Sequence, residues 1–167
     1  FLAHEITTQV LARKAAEHAR AEAQALADAL AGERRFLDNI MDNVPAAITY
    51  VGHDMVFRQA NRAAARLLGH TIEDVINHPM AEVLSPSSQV QRKMKEVLRT
   101  GEPFRGIMAL KLRGETEPRE FQLAFLPDRD ASGRVAGVFT TATDVSELVA
   151  TRRALEDERA RLQAILE

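Results

Sequence analysis

Residues 59–69 read Gln59-Ala60-Asn61-Arg62-Ala63-Ala64-Ala65-Arg66-Leu67-Leu68-Gly69. Asn61 is a residue type that caps helix N-termini, because its side chain accepts a hydrogen bond from a backbone N–H of the first turn. The alanines and leucines that follow favour a helix, and Gly69 adopts without strain the left-handed conformation in which many helices end. The segment therefore predicts a short helix over residues 62–68.

The residues before this helix predict a β-hairpin and, ahead of the hairpin, a long helix. Apolar runs at Ala46–Val51 and Met55–Ala60 flank the turn-forming triplet Gly52-His53-Asp54. Residues 7–43 contain no proline and are rich in alanine, the strongest helix former. Pro45 disfavours helical geometry at the residue before it, so we expect the long helix to end at residue 43.

The residues after the short helix predict more helices and then three strands. Thr71 and Asp74 have the spacing of a capping box, which begins a second short helix. Ser87 or Ser88 is placed to cap a longer helix. The longer helix and the strands are expected at Gln89–Arg99, Phe104–Arg113, Arg119–Pro127 and Val135–Asp144.

Two segments carry apolar residues at heptad spacing, which is the pattern of helices that pair with each other. In the long N-terminal helix, an alternating three–four spacing ends in the large residues Leu26, Leu30, Leu37 and Ile40. From Ser146 a second helical pattern places leucines seven residues apart, at Leu148, Leu155 and Leu162. We expect these seams to hold two copies of the chain together as a homodimer.

The ends of the chain resemble other parts of it at two offsets. Glu5–Thr8 is similar to Asp144–Glu147 at an offset of 139 residues, and Glu33–Asp42 to Glu158–Glu167 at an offset of 125 residues. The offsets differ by 14 residues, or two heptads, and a helix lengthened by two heptads keeps its apolar stripe on the same side. Because the chain begins at Phe1 and ends within a helical pattern, we interpret it as one unit excised from a tandem array. Chance similarity between charged, alanine-rich helices is the alternative.

Composition and charge exclude several classes of function. With 167 residues, 46% of them hydrophobic and 28% charged, the chain is expected to form one globular core with helical extensions. A net charge of −2 gives no general attraction for nucleic acid or a membrane surface, so neither is expected as a partner. The absence of cysteine excludes disulfides and cysteine nucleophiles. No apolar run approaches the roughly 20 residues of a membrane span and no signal peptide is visible, so we expect a cytoplasmic location.

Four strings, taken in this order and spacing, resemble the PAS sensory domain over Val44–Ser146. The strings are Asp42–Ile48, Gln59–Gly69, Asp128–Gly137 and Asp144–Glu147. The resemblance implies an α+β fold in which a five-stranded antiparallel sheet carries short helices on one face and is flanked by a long N-terminal and a C-terminal helix. It also implies a division of the chain into four segments. Residues 1–6 would be the last strand of a preceding PAS-like unit, and residues 7–43 a coiled-coil linker helix. Residues 44–146 would be the PAS domain, and residues 147–167 a signalling helix.

The resemblance to PAS domains also implies a role. Domains of this kind commonly sit in bacterial histidine kinases of two-component systems, in diguanylate cyclases and in related regulators, where they sense a ligand or dimerise and relay their state through flanking helices. We therefore expect a non-enzymatic sensory and dimerisation module, with a ligand-free structural spacer as the alternative. In the relay, Asp144 is expected to accept a backbone hydrogen bond at the end of the last strand, and Ser146 to cap the exit helix.

A ligand pocket is expected between the sheet and the short helices. Its candidate lining residues are Tyr50, Asn61, Met94, Phe121, Gln122, Phe139 and Thr141. The expected ligand is an unidentified small molecule. The alternative is that these side chains form a filled core without a pocket.

Haem and flavin are not expected as cofactors. The light-sensing branch of the family needs a cysteine for its flavin chemistry, and tryptophan, frequent beside flavin in redox-sensing members, is also absent. Haem-binding relatives usually take a histidine from the longer helix, and Gln89–Arg99 contains none. His70 and His78 are interpreted as solvated or capping residues, so no metal site is predicted. His4-Glu5-Ile6-Thr7 superficially resembles a phosphoacceptor box, but the residues after it depart from that pattern, and no catalytic motif is present.

Overall fold

A computed structural model of the protein describes residues 2–84, 88–112 and 114–166. Phe1, Ser87, Arg113 and Glu167, which figure in the predictions above, lie outside these residues. The chain forms two compact units, one up to Met41 and one from Asp42. The elements in chain order are α1 Leu2–Asn43, β1 Ala47–Gly52, β2 Phe57–Ala60, α2 Arg62–Leu68, α3 Ile72–Val75, α4 Met80–Val83, α5 Gln89–Thr100, β3 Phe104–Leu110, β4 Arg119–Arg129, β5 Val135–Asp144 and α6 Ser146–Leu166.

The N-terminal helix α1 is 42 residues long and begins at Leu2. The strand predicted for residues 1–6 is therefore wrong for residues 2–6. No helix-breaking residue separates these residues from the alanine-rich segment, and the hydroxyls of Thr7 and Thr8 donate to helical carbonyls four residues earlier, at 2.8 and 2.9 Å. The derivation of this end from a preceding unit stays a prediction. The end of the helix at Asn43, two residues before Pro45, is as predicted.

The C-terminal helix α6 begins at Ser146, where the heptad pattern predicts it, and extends over 21 residues. None of its described residues is buried. Among the described residues, no helix of the protein is both long and apolar enough to cross a membrane.

The second unit contains a five-stranded sheet with the strand order β2-β1-β5-β4-β3. Every neighbouring pair is antiparallel, and the last strand, β5, lies at the centre between β1 and β4. Three of the pairs, β1–β2, β3–β4 and β4–β5, join strands that are consecutive in the chain, whereas the pairing of β5 with β1 is long-range. The predicted α+β fold with a five-stranded antiparallel sheet is confirmed.

One face of this sheet packs against the helices between β2 and β3. Phe121, Leu123 and Phe125 on β4 are buried, as their alternation with polar residues predicts. Met80 on α4 and Met94 on α5 belong to the same apolar cluster. Burial of this face supplies the main stabilising contribution to the unit, because it removes the large apolar side chains from water.

The predicted caps delimit the short helices. The Asn61 side chain accepts from the backbone N–H of Ala64 at 2.9 Å, and Gly69 ends α2 with a φ of 73°. Thr71 and Asp74 form the reciprocal bonds of a capping box at the start of α3. Ser88 caps α5 by accepting from the backbone N–H of Val90 at 3.2 Å. These local bonds fix where each helix begins, and thereby where its apolar face meets the sheet.

Candidate functional site

A cleft of about 920 Å³ opens between the sheet and helices α2, α4 and α5. Strands β1, β4 and β5 contribute to its floor, and the three helices, together with the segment after β3, form its sides. This is the position at which the sequence predicts a pocket.

The floor of the cleft carries a pair of threonine hydroxyls. Thr49 on β1 and Thr140 on β5 are directly opposite in the antiparallel register, and their Oγ1 atoms lie 2.5 Å apart. Thr49 is 7% exposed, and it is the one polar side chain among the buried described residues that line the cleft. Among the described residues, the buried part of the floor therefore combines an apolar surface with one polar side chain, that of Thr49.

The buried walls around the hydroxyl pair are apolar. They consist of Ala47, Phe57, Ala64, Met80, Met94, Leu123 and Phe125. Two of these side chains are methionines, which are flexible and adapt to irregular shapes. A ligand in this cleft would thus meet mainly hydrocarbon and thioether surface.

Gln91 holds one wall of the cleft in place, and the sequence analysis did not identify it. This buried side chain on α5 donates from Nε2 to the backbone carbonyls of Met80, at 3.3 Å, and Leu84, at 3.2 Å. It therefore ties both ends of α4 to α5. Its spacing of three residues from Met94 and seven from Leu98, on the apolar stripe of the helix, is a signal that identifies it as inward-facing.

The ionisable side chains of the cleft lie nearer to solvent. Glu82 and Lys111 are exposed, and His70 and Glu115 are half-buried. They carry both signs of charge, so they create no uniform field for an anion or a cation. Within the described ranges, no group of three or more His, Cys, Asp or Glu side chains is placed to hold a metal ion.

The structure brings together two of the seven residues predicted for the pocket. Met94 and Thr141 border the cleft. Phe121 instead lines a smaller cleft of about 350 Å³ beside α2. Asn61 is buried in the connection between β2 and α2 and does not border the main cleft.

Three predicted pocket residues lie away from the cleft because of strand alternation. Tyr50 and Phe139 are opposite each other on β1 and β5, with ring centroids 4.6 Å apart. They are one residue out of phase with Thr49 and Thr140, so they point to the other face of the sheet. Gln122 is exposed on β4, between the buried Phe121 and Leu123. These three predictions were wrong.

Asp144 and Ser146 form a compact junction between the sheet and α6. Asp144 Oδ1 accepts from the backbone N–H of Ser146 at 2.9 Å, and Oδ2 forms an ion pair with Arg119 of β4. The Ser146 backbone bond, assisted by its hydroxyl and by the Arg119 charge, holds the pKa of Asp144 below its usual range. The carboxylate is therefore charged at neutral pH and fixes the start of the exit helix.

The Ser146 hydroxyl bonds to the sheet rather than capping the helix. Its Oγ accepts from the backbone N–H of Glu120 on β4 at 3.0 Å. The next residue back, Val145, donates its N–H to the carbonyl of Glu120 at 2.9 Å. The hydroxyl predicted to cap α6 is therefore engaged with the backbone of β4, because the fold places Ser146 beside that strand.

Two more ion pairs extend the junction in opposite directions. Arg153, two turns into α6, contacts Glu120 at 2.7 Å. Arg119 contacts Glu115 at 3.3 Å, and Glu115 borders the main cleft. Contacts thus run without a gap from the cleft through Arg119 and Asp144 to the first turns of α6.

A family model described as the PAS fold matches residues 41–150. The chain belongs to the PAS family. The matched segment includes the whole sheet, the cleft and the first turn of α6, so the PAS domain contains both the candidate pocket and the exit junction. The sequence resemblance to PAS domains is confirmed.

Known proteins with similar sequence or structure agree with a PAS fold. An uncharacterised protein of Azorhizobium caulinodans is 30% identical over 134 residues, which is 75% of this chain, and the chain spans 17% of that protein's length. The PAS domain of Bordetella pertussis BvgS superposes with a TM-score of 0.55 at 20% identity, covering 78% of this chain and 98% of that one. An RNA-binding light-oxygen-voltage receptor has a TM-score of 0.61 at 19% identity, covering 76% and 37%.

Proposed function

We propose that this PAS domain is a sensory and dimerisation module of a cytoplasmic bacterial signalling protein, of the histidine kinase or diguanylate cyclase type. In this proposal, a small molecule in the cleft alters the packing of the sheet, and the exit helix α6 passes the change to an output domain. The domain itself catalyses no reaction. The observation that carries the proposal is the continuity of contacts between the cleft and α6.

The central strand provides the direct route from ligand to helix. Thr140 lies in the cleft floor and Asp144 lies four residues later on the same strand, β5. Both neighbours of β5 are hydrogen-bonded to it, so a displacement at the floor moves the strand as a unit. Asp144 then carries that displacement to the N-terminus of α6 through its bond to Ser146.

The side of the cleft provides a second route. Glu115 borders the cleft and shares Arg119 with Asp144. A ligand that moves Glu115 changes how Arg119 divides its charge between the two carboxylates. Exposed ion pairs of this kind contribute about 0.2–1 kcal/mol each, so the differential affinity of a modest ligand is enough to shift them.

Homodimerisation is proposed from the apolar residues that the flanking helices expose. On α1 these are Leu26, Leu30, Leu37 and Ile40, and on α6 they are Leu148, Leu155 and Leu162. Their side chains are between 46 and 70% exposed in the single chain. Pairing with a second copy removes this surface from water, which is the main driving force for coiled-coil association.

The relay is tested by replacing Asp144 with alanine and measuring amide hydrogen exchange across residues 146–150. Loss of a charge-assisted bond of about 1 kcal/mol is expected to speed exchange in the first turn of α6 about fivefold, with protection of β5 retained. Asp157→Ala, on the exposed surface of the same helix, is the matched control and should leave exchange unchanged. If residues 146–150 are as protected from exchange in the Asp144→Ala variant as in the parent chain, Asp144 does not couple the sheet to the helix.

A second measurement separates a sensor from a ligand-free spacer, in which the cleft would stay empty. Native mass spectrometry of gently purified protein is expected to show a small molecule that stays bound to the folded chain. Its absence across preparations from different hosts would favour the spacer. The volume of the cleft and its apolar walls favour the sensor.

A further inference from the structure

We propose that the cleft binds an uncharged, mainly apolar small molecule with one hydrogen-bonding oxygen, which the Thr49–Thr140 hydroxyl pair receives. This inference rests on the proposed sensory function and specifies the chemical class of its ligand. It follows from the hydrogen-bonding capacity of the pair, the polarity of the walls and the position of the charges.

The hydroxyl pair has one donor left over. Two hydroxyls carry two hydrogens, and the single bond between the Oγ1 atoms of Thr49 and Thr140 uses one of them. Among the described residues, no other hydrogen bond of either side chain is found. The second hydrogen, together with the remaining lone pairs, is available to a carbonyl or hydroxyl oxygen that enters the cleft.

The buried lining selects against charge at this depth. Thr49 is the one polar side chain among the buried described residues of the cleft, so a charged group at the floor would have no counter-charge. Burying an unpaired charge costs several kcal/mol, whereas an uncharged oxygen needs one hydrogen bond to offset its desolvation. An apolar ligand body gains about 25 cal/mol for each Å² removed from water against such walls.

The ionisable side chains of the cleft do not reverse this selection. Lys111 and Glu82 are exposed, and half-buried Glu115 already contacts Arg119. Both signs of charge occur at this margin, so a ligand head group of either sign meets repulsion as well as attraction. The chemical discrimination therefore comes from the floor.

The test compares three straight-chain probes with the same number of carbon atoms: octan-1-ol, octanoate and octylammonium. Binding is followed by NMR of the methionine methyl groups, because Met80 and Met94 line the cleft. Octan-1-ol is expected to shift both methyl signals and to bind about tenfold more tightly than either ion.

Two isosteric variants identify the hydroxyl pair as the recognition element. Thr49→Val and Thr140→Val each keep the side-chain shape and remove one hydroxyl, and each is expected to weaken octan-1-ol binding about fivefold. Thr143→Val, on exposed β5 surface, is the matched control and should bind like the parent chain. Circular dichroism of all three variants checks that each is folded. If one of the two cleft variants does not fold, the other is sufficient for the comparison with the control.

Each outcome bears on the ligand class separately from the proposed relay. The ligand class would be wrong if either ion bound as tightly as octan-1-ol or more tightly. It would also be wrong if both cleft variants bound octan-1-ol as tightly as the parent chain does. Neither result would exclude the cleft as a binding site. If octan-1-ol leaves the Met80 and Met94 signals unshifted, the ligand class is likewise wrong. The Asp144→Ala exchange measurement needs no ligand and decides the relay independently.

Discussion

Asn61 shows how one side chain joins two elements of the fold. Its Oδ1 accepts from the backbone N–H of Ala64 at 2.9 Å and of Ile48 at 3.0 Å. Its Nδ2 donates to the carbonyl of Ala46 at 2.9 Å. The sequence predicts the bond to Ala64, because capping is local, but the two bonds to the start of β1 depend on the folded hairpin.

Replacing Asn61 with alanine is expected to lower the free energy of unfolding by about 2–3 kcal/mol, because backbone groups of β1 lose their partners inside the fold. Thr71→Ala, at the exposed cap of α3, removes a cap of the same kind without such partners and should cost about 0.5–1 kcal/mol. Urea unfolding of both variants measures the difference. Equal losses would mean that Asn61 acts as a helix cap alone.

Tyr50 offers a spectroscopic probe of the other face of the sheet. Burial, together with the hydrogen bond from its hydroxyl to Asp128 at 2.9 Å and the charge of that carboxylate, raises the pKa of Tyr50 above its ordinary value. The chain contains one tyrosine and no tryptophan, so the ultraviolet absorbance of its phenolate is unambiguous.

Asp128→Asn is expected to lower the pKa of Tyr50 toward its ordinary value of about 10, because the amide accepts the same bond without the negative charge. Since the folded-state pKa is raised, the associated stability is present below the unfolded-state pKa and is lost as pH rises through the folded-state value. Asp157→Asn, remote on α6, serves as control. A phenolate titration that is the same in Asp128→Asn and the parent chain would contradict the assignment.

At the scale of elements, the predicted strands and helices agree with the structure to within about two residues, except at the N-terminus and at the end of β3, which lies at Leu110 and not at the predicted Arg113. Helix α2 matches residues 62–68 because both of its ends carry local signals. Strand β4 extends two residues past the predicted end at Pro127, since Asp128 and Arg129 still pair with β5. From the sequence, a proline is taken to end a strand because it lacks an N–H donor. Pro127 nevertheless pairs with Val138 of β5 inside the strand.

The exit helix α6 exposes the leucines of its seam, and substitution of one of these leucines is expected to weaken dimerisation. Burial of a leucine side chain in the dimer contributes about 1.5–3 kcal/mol. Leu155→Gln removes this contribution, so the dimer dissociation constant is expected to rise about tenfold or more. Ala160→Gln is the matched control, because residue 160 lies off the seam on the same helix. Sedimentation equilibrium measures both constants, and identical values would exclude α6 as an interface.

At the scale of the whole PAS domain, the sheet links the cleft to the exit helix, which is the basis of the proposed relay. The central position of β5 puts one strand in contact with the cleft floor, with both neighbouring strands and with the exit helix. In the proposed relay, a side-chain change at the floor is expected to affect α6, whereas a change on β2, at the sheet edge, does not lie on this route. The experiments on Asp144 and on Thr140 examine two points of the same strand, β5.

The sequence by itself determined the order of elements in the sheet domain, the caps of α2, α3 and α5, the inward face of β4 and the family, because capping, turns and alternation act over a few residues. It did not determine which face of β1 and β5 meets the helices: Thr49 and Thr140, rather than Tyr50 and Phe139, line the cleft. Both faces of these strands carry apolar and polar residues, so alternation leaves the choice open. The tertiary structure decided it through the pairing of β1 with β5, whose partners are about 90 residues apart in sequence. The same long-range packing brought Ser146 beside Glu120 and Gln91 beside Met80, contacts that no local pattern specifies.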